Sequence, residues 1–271
     1  MARKISLGRY VQGSSFIHKL DPRFKLVISL FMMVVSLLSR DSWQIALVTV
    51  VTAVFIRLAE VPLKDILKSI RPILFLLIFA FILNIFSGEG EPLVSFLGLD
   101  ITLLGLMSGI KTLFRLSLLV MNTTLFLTLT TTPILIADAM ERLLSPLNRL
   151  KFPVHEMAMM MSIALRFVPT LLDEAEKIMK AQSSRGADYD AGGPIRKARG
   201  LISILIPLFI SAFRRADDLA TAMEARCYHG GEGRTRFRVM KIRPDDIVFS
   251  IMVALIGALV FIGPTFIRVP F

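Results

Sequence analysis

Apolar positions fall in long blocks along this chain, each close to the length of a bilayer crossing. Phe24–Arg40 reads FKLVISLFMMVVSLLSR, Trp43–Ala59 reads WQIALVTVVTAVFIRLA, and Pro72–Phe86 reads PILFLLIFAFILNIF. A longer block covers Ile101–Thr131 and a last one covers Ile247–Ile267. A spanning helix needs roughly 20 apolar residues, so the first three must borrow flanking residues or sit in a thinned bilayer. The polar break Ser39–Ser42 is short, and the first two blocks read as a hairpin of spans. The pattern predicts an all-α integral membrane protein with about five transmembrane helices.

Between residues 132 and 245 the pattern changes to a helical period with two unlike faces. After Pro133, Met140, Leu143, Leu144, Leu147 and Leu150 recur at helical spacing, while Asp138, Glu141, Arg142, Asn148 and Arg149 take the other side. Such a helix suits a membrane surface, or equally a soluble core. A second helix follows Pro153, with Met157, Met161, Ala164, Leu165, Val168, Leu172, Ala175 and Met179 on one stripe and charges confined to its second half. A third follows Gly192-Gly193-Pro194, opening with Arg196, Lys197 and Arg199 before LISILIPLFISAF. Both carry an internal proline (Pro169, Pro207) that should bend them, then an acidic pair (Asp173-Glu174, Asp217-Asp218). Helices of about 30 residues reach about 45 Å. The expected organisation is a membrane domain of four spans over residues 1–131, a cytoplasmic coupling domain over 132–245 with helices near 134–150, 155–185 and 194–227, two of them long and bent, and a last span over 246–271. If Met157–Leu172 and Leu201–Phe213 also cross, the count becomes seven.

Charge supplies the orientation. Arg3, Lys4, Arg9, Lys19, Arg23 and Lys25 precede or open the first span, and Arg57, Lys64, Lys68 and Arg71 lie between the second and third. Ser87–Asp100 has no Lys or Arg and carries Glu89, Glu91 and Asp100. Basic loops stay cytoplasmic, so the N-terminus is expected inside and Ser87–Asp100 outside. The net charge of +11 fits this retention of Lys and Arg at an inner membrane face and needs no nucleic acid. With 54% hydrophobic residues and a mean hydropathy of +0.67, the chain is no ordinary soluble enzyme. No small-residue cleavage pattern precedes the first block, so no cleavable leader is expected.

Chemistry-bearing motifs are sparse. The single cysteine, Cys227, excludes an internal disulfide, and no Cys/His spacing suggests a metal. His155-Glu156 lacks the second histidine of a zinc protease motif, since position 159 is Met. No GxxxxGK[ST] phosphate loop occurs, so ATP hydrolysis by that route would belong to partners. Neither catalytic residues nor a cofactor is expected. Met157 and Met159–Met161 form an adaptable surface or ordinary packing. Lys111 and Arg115 lie one turn apart inside the fourth block, where a cation either snorkels to the interface or meets a polar partner. Gly105 and Gly109 make a GxxxG, which permits close approach of a helix from this chain or another. Arg166 sits in an apolar half-helix and carries no assignment.

Two stretches stand out, AQSSRGAD at Ala181–Asp188 and AMEARCYHGG at Ala222–Gly231. Each ends a long helix with an arginine followed by a small residue. A cation and a small residue after the last turn are good helix terminators. A guanidinium at a projecting tip also offers fork-shaped hydrogen bonds to a carboxylate or to carbonyls.

Together with SSFIHKLDPRFKLV and ALRFVPTLLDEAEKIMKAQSSRG, these stretches resemble the CbiQ-like family of transmembrane T components (EcfT) of energy-coupling factor (ECF) transporters, over nearly the whole chain. The resemblance implies a non-catalytic, multi-pass subunit of a prokaryotic plasma membrane. It implies two ABC-type ATPases as cytoplasmic partners and a membrane-embedded, substrate-binding S component beside it. Ser184-Arg185-Gly186 and Ala225-Arg226-Cys227 would then be the ATPase-coupling tips, with Ser184 and Cys227 standing where the family often has Ala and Gly. Gly105, Gly109, Lys111 and Arg115 are candidates for S-component or intramembrane contact. ATP-driven motion of the two helices would reorient the S component, which alone would choose the vitamin or other micronutrient. A permease of a conventional ATP-driven importer, and a membrane scaffold without transport activity, are the other readings.

Overall fold

A computed structural model describes residues 10–11, 13–86, 92–96, 99–146, 153–186, 193–230 and 242–266. Within these the chain is helical apart from one two-stranded hairpin, so the all-α membrane fold expected from the pattern is present. In order the elements are α1 (Phe16–Lys19), α2 (Pro22–Leu38), α3 (Ser42–Ala59), α4 (Leu63–Ile70), α5 (Leu74–Phe86), β1 (Pro92–Phe96), β2 (Leu99–Thr102), α6 (Leu103–Thr123), α7 (Pro133–Leu144), α8 (Val154–Ser184), α9 (Pro194–Ala225) and α10 (Pro244–Phe266). They divide into two compact units, Met1–Ala139 with Val239–Phe271, and Met140–Arg238.

Four stretches in the first unit are long and apolar enough to cross a membrane: Ser42–Ala59, Leu63–Phe86, Leu103–Leu129 and Pro244–Ile262. The first apolar block becomes α2, whose 17 residues extend about 26 Å at 1.5 Å per residue, short of the roughly 30 Å hydrocarbon core. The third block gains length at its front. Leu63, Ile66, Leu67 and Ile70 recur at helical spacing through α4, and a single 3₁₀ turn at Arg71–Ile73 carries the helix on into α5. The fourth block starts later than its apolar pattern, because Ile101 and Thr102 belong to β2, paired antiparallel with β1 through a bulge between Pro92 and Val94. Thr102 then caps α6, its hydroxyl accepting from the Gly105 N–H at 3.1 Å. The helix continues past Thr123 as a π segment over Thr124–Leu129. In the amphipathic helix after Pro133, α7 ends at Leu144, and Leu147, Asn148, Arg149 and Leu150 lie outside the described residues.

Close helix approach builds the membrane unit. A Cβ on Gly105 would stand 2.3 Å from the backbone oxygen of Ile85, and one on Gly109 would stand 3.0 Å from the Phe81 ring. The GxxxG therefore serves contact between α5 and α6 inside this chain. Phe55 of α3 stacks edge-on against Phe126 of the π segment at 5.4 Å, and lies 5.7 Å from Phe249 of α10. All three are essentially buried.

A polar cluster is buried beside this apolar core. Lys25, 1% exposed, donates from Nζ to the carbonyls of His18 and Thr130 at 3.0 and 2.9 Å. The Asp246 and Asp21 carboxylates supply its counter-charge. Asp246, also 1% exposed, accepts from the Asp21 N–H at 2.9 Å through one oxygen and from the Arg243 N–H at 2.8 Å through the other. Thr130 lies just before α7 and Arg243 just before α10. The cluster thus ties the start of α2 to the residues just before α7 and just before α10.

Replacing Asp246→Ala orphans two backbone donors and strips a buried ammonium of a counter-charge, an effect of about 3–5 kcal/mol. Thermal unfolding of the detergent-purified protein should show a clear fall in midpoint, with Asp246→Asn falling less because one acceptor survives. An unchanged midpoint for the alanine variant would show that the cluster does not tie these segments together.

Candidate functional site

The second unit contains the two long helices, α8 with 31 residues and α9 with 32. Each runs without interruption through its internal proline, Pro169 or Pro207. Such a proline lacks an N–H, which leaves the carbonyl four residues earlier without its helical donor. At 1.5 Å per residue the helices are about 46–48 Å long.

Their mutual register follows from a few side chains. Glu174 of α8 accepts from the Ser211 hydroxyl of α9 at 3.0 Å through one oxygen and pairs with the Arg215 guanidinium through the other. The Ser211 hydrogen bond, then that of Arg215, hold the Glu174 carboxyl below the ordinary glutamate value. Met159, nearer the start of α8, accepts through its sulfur from the Tyr228 hydroxyl beyond the end of α9, at 3.2 Å. As numbers rise along α8, those of its partners in α9 fall, so the pair is antiparallel.

Antiparallel pairing decides where the two arginines lie. Arg226 ends α9 beside the start of α8, and Arg185 ends α8 at the opposite end of the pair. Along α8, residues 159–185 cover about 39 Å. Both arginines are exposed, as are Ser184, Gly186, Ala225 and Cys227.

The two ends terminate by the same backbone device. Arg185 is the C-cap of α8 (φ −89°), followed by Gly186 at φ +82°, whose N–H donates to the Ser183 carbonyl at 3.0 Å. Arg226 is the C-cap of α9 (φ −95°), followed by Cys227 at φ +56°. There the Cys227 N–H donates to the Glu224 carbonyl at 2.9 Å, and the Tyr228 N–H donates to the Met223 carbonyl at 3.1 Å. These two bonds form a complete Schellman termination. The left-handed residue turns the chain sharply away, so each guanidinium is left at a tip. Glycine adopts this conformation without strain, whereas the Cβ of Cys227 does not.

Arg226 has company that its sequence neighbours do not announce. It lines a groove of about 810 Å³ within the unit, together with Met159, Ser162 and Arg166 of α8 and Met223 and His229. The groove therefore presents two guanidinium groups, suited to anionic or carbonyl-rich surfaces. At the start of α8, His155 Nδ1 lies 3.2 Å from the Glu141 carboxylate of α7. Among the described residues no group of three or more His, Cys, Asp or Glu is close enough to hold a metal ion.

In the membrane unit, Gly105 and Gly109 are buried against α5, while Lys111 and Arg115 are half-buried on another side of α6.

The profile of the CbiQ family, described as cobalt transport protein, matches residues 13–237. The chain belongs to this family. Among CbiQ-type relatives, the "Energy-coupling factor transporter transmembrane protein EcfT" of Ruminiclostridium cellulolyticum is 52% identical over 250 residues, covering 92% of this chain and 93% of the relative. Proteins of the same description from Clostridium kluyveri and Bacillus subtilis are 47% identical over 253 residues and 42% over 262. They cover 93% and 96% of this chain, and 93% and 98% of their own lengths. The CbiQ-type chain is accordingly a transmembrane component of an ECF transporter and a bacterial membrane protein.

In this CbiQ-type protein, Cys227→Gly should stabilise the end of α9 by about 0.5–1 kcal/mol, the left-handed strain relieved less the added chain entropy of glycine. Cys227→Val should destabilise it, since a β-branched residue fits that conformation worse. Hydrogen exchange of the last turn of α9 reads both. A glycine variant that exchanges faster than the wild type would contradict the assigned cap.

Proposed function

We propose that the chain is the coupling subunit of an ATP-driven micronutrient importer, with Arg185 and Arg226 as its contacts to two cytoplasmic ATPase subunits. One observation supports this reading above the others. The antiparallel α8–α9 pair carries an exposed arginine at each of its two far ends, each set off by a left-handed residue. Two equivalent tips separated by about 39 Å suit two equivalent soluble partners, one at each end.

Ser184, Gly186, Ala225 and Cys227 serve as the small surroundings that admit each guanidinium to a narrow cleft. ATP-driven movement of the two partners shifts the tips, and α8 and α9 transmit the shift as stiff levers. The apolar side of α9, with Leu201, Ile202, Leu205, Ile206, Phe209 and Phe213 all exposed, faces the bilayer or the membrane-embedded S component. Residues 1–131 and 246–271 form the membrane domain and 132–245 the cytoplasmic coupling domain. The N-terminus and the turn between α3 and α4, on whose side the basic residues of Arg57–Arg71 cluster, face the cytoplasm, and Ser87–Asp100 faces outside. Substrate choice rests with the S component.

Arg185→Glu combined with Arg226→Glu should abolish co-purification of both ATPases and substrate uptake. Replacing a buried, hydrogen-bonded interfacial charge typically costs about 2–5 kcal/mol, so either single variant should weaken binding at least tenfold. A double variant that retains both ATPases and full uptake would refute the coupling role. Purified wild-type complexes without any ATPase would favour a scaffold instead.

A further inference from the structure

The geometry points to Arg115 as an intramembrane receptor for a carboxylate, carried by a membrane-embedded helix of a partner subunit seated on the N-terminal half of α6. The inference rests on the chain acting as one subunit of a membrane complex, and it assigns a residue of that contact.

Arg115 lies near the midpoint of the apolar stretch Leu103–Leu129, which is long enough to span the bilayer. About 18–21 Å of helix separates it from either end at 1.5 Å per residue. The bilayer half-thickness is about 15 Å, so an arginine so placed is far from the lipid phosphates and cannot snorkel fully to them. Charges at this depth are strongly disfavoured unless paired, and they mark functional contacts.

No hydrogen bond or ion pair reaches the Arg115 guanidinium from the described residues, and its Nε is buried without a partner. The described spans cannot supply one by composition. Ser42–Ala59 and Leu103–Leu129 contain no acidic residue, and neither does α2. Asp65 and the pair Asp245-Asp246 sit in the first turns of their spans. Asp246 is already engaged by the Asp21 and Arg243 backbone.

The surface around Arg115 fits a helix. Leu104, Met107, Lys111, Phe114 and Arg115 recur along one stripe of α6. Leu104, Met107 and Phe114 are 61%, 47% and 48% exposed, and the two cations are half-buried at the edge. The opposite stripe, Gly105 and Gly109, is closed against α5. An apolar strip with one half-buried, unpaired guanidinium is complementary to a helix bearing Asp or Glu, because a carboxylate accepts two parallel bonds from a guanidinium. Lys111, one turn away, adds to the same field.

A photoreactive benzoylphenylalanine at Phe114, in the complete complex in native membranes and with Arg115 intact, is the first arm of the test. The expected product joins position 114 to a spanning segment of the membrane partner that carries Asp or Glu within one turn of the attachment point. Adducts confined to lipid or to this chain, or to a partner segment without a carboxylate, would overturn the inference. The second arm compares Arg115→Met and Arg115→Lys complexes in mild detergent for recovery of the membrane partner and of the ATPases. Methionine should lower recovery of the membrane partner at least tenfold and lysine less, with the ATPases retained in both. Equal recovery in wild type and Arg115→Met would overturn it. If Arg115→Met does not accumulate, the photocrosslink decides alone. Wild-type complexes without ATPases would count against the coupling role, while the crosslink would still decide the fate of Arg115.

Discussion

The register of α8 against α9, set by Glu174 with Ser211 and Arg215 and by Met159 with Tyr228, is the constraint from which the functional geometry follows. Had the two helices packed in parallel, Arg185 and Arg226 would share one end and could meet only one partner surface. Antiparallel packing separates them by the better part of a helix length. The Glu174 contacts sit near the middle of both helices, and the Met159–Tyr228 contact fixes the end that carries Arg226. The partly exposed Glu174–Arg215 pair contributes modest stability alone. Its value lies in specifying which turn of α8 meets which turn of α9.

The membrane unit solves a different problem, that of keeping short apolar helices together while attaching them to a polar unit at two places. Gly105 and Gly109 bring α6 against the Ile85 backbone and the Phe81 ring of α5, and Gly257 of α10 lies under Phe31 of α2. At the start of α2 the protein uses charge. Lys25, Asp21 and Asp246 are buried, yet their polar atoms are taken up by the carbonyls of His18 and Thr130 and the N–H groups of Asp21, Arg23 and Arg243. A buried charge is tolerated when its partners satisfy it, and breaking such a set is far more damaging than its net stabilisation suggests. Arg115 is the exception within the described residues, a charge at mid-membrane depth whose satisfaction must come from elsewhere.

The all-α membrane class is legible in the apolar blocks, because only helices satisfy the backbone inside lipid. The family is legible in AQSSRGAD and AMEARCYHGG. Other features are not. The helical spacing of Leu63, Ile66, Leu67 and Ile70 is present in the chain but is masked by Lys64, Asp65 and Lys68, which read as a loop. The hairpin hides because its bulge between Pro92 and Val94 disrupts alternation. Nothing local marks the π segment at Thr124–Leu129. Arg185 and Arg226 are recognisable as tips from the residues around them, but their opposed placement depends on contacts between residues some forty to seventy positions apart. Arg166 is an isolated cation in the chain, and only folding sets it beside Arg226 in one groove.

The opposed placement of the two tips is open to direct measurement by electron spin resonance. Spin labels at Ser184→Cys and Ala225→Cys, in a Cys227→Ser background, should report a single distance population near 35–45 Å, from about 1.5 Å per residue along α8 plus the offset between packed helices. A population below about 20 Å would place both arginines at one end of the pair and contradict the account.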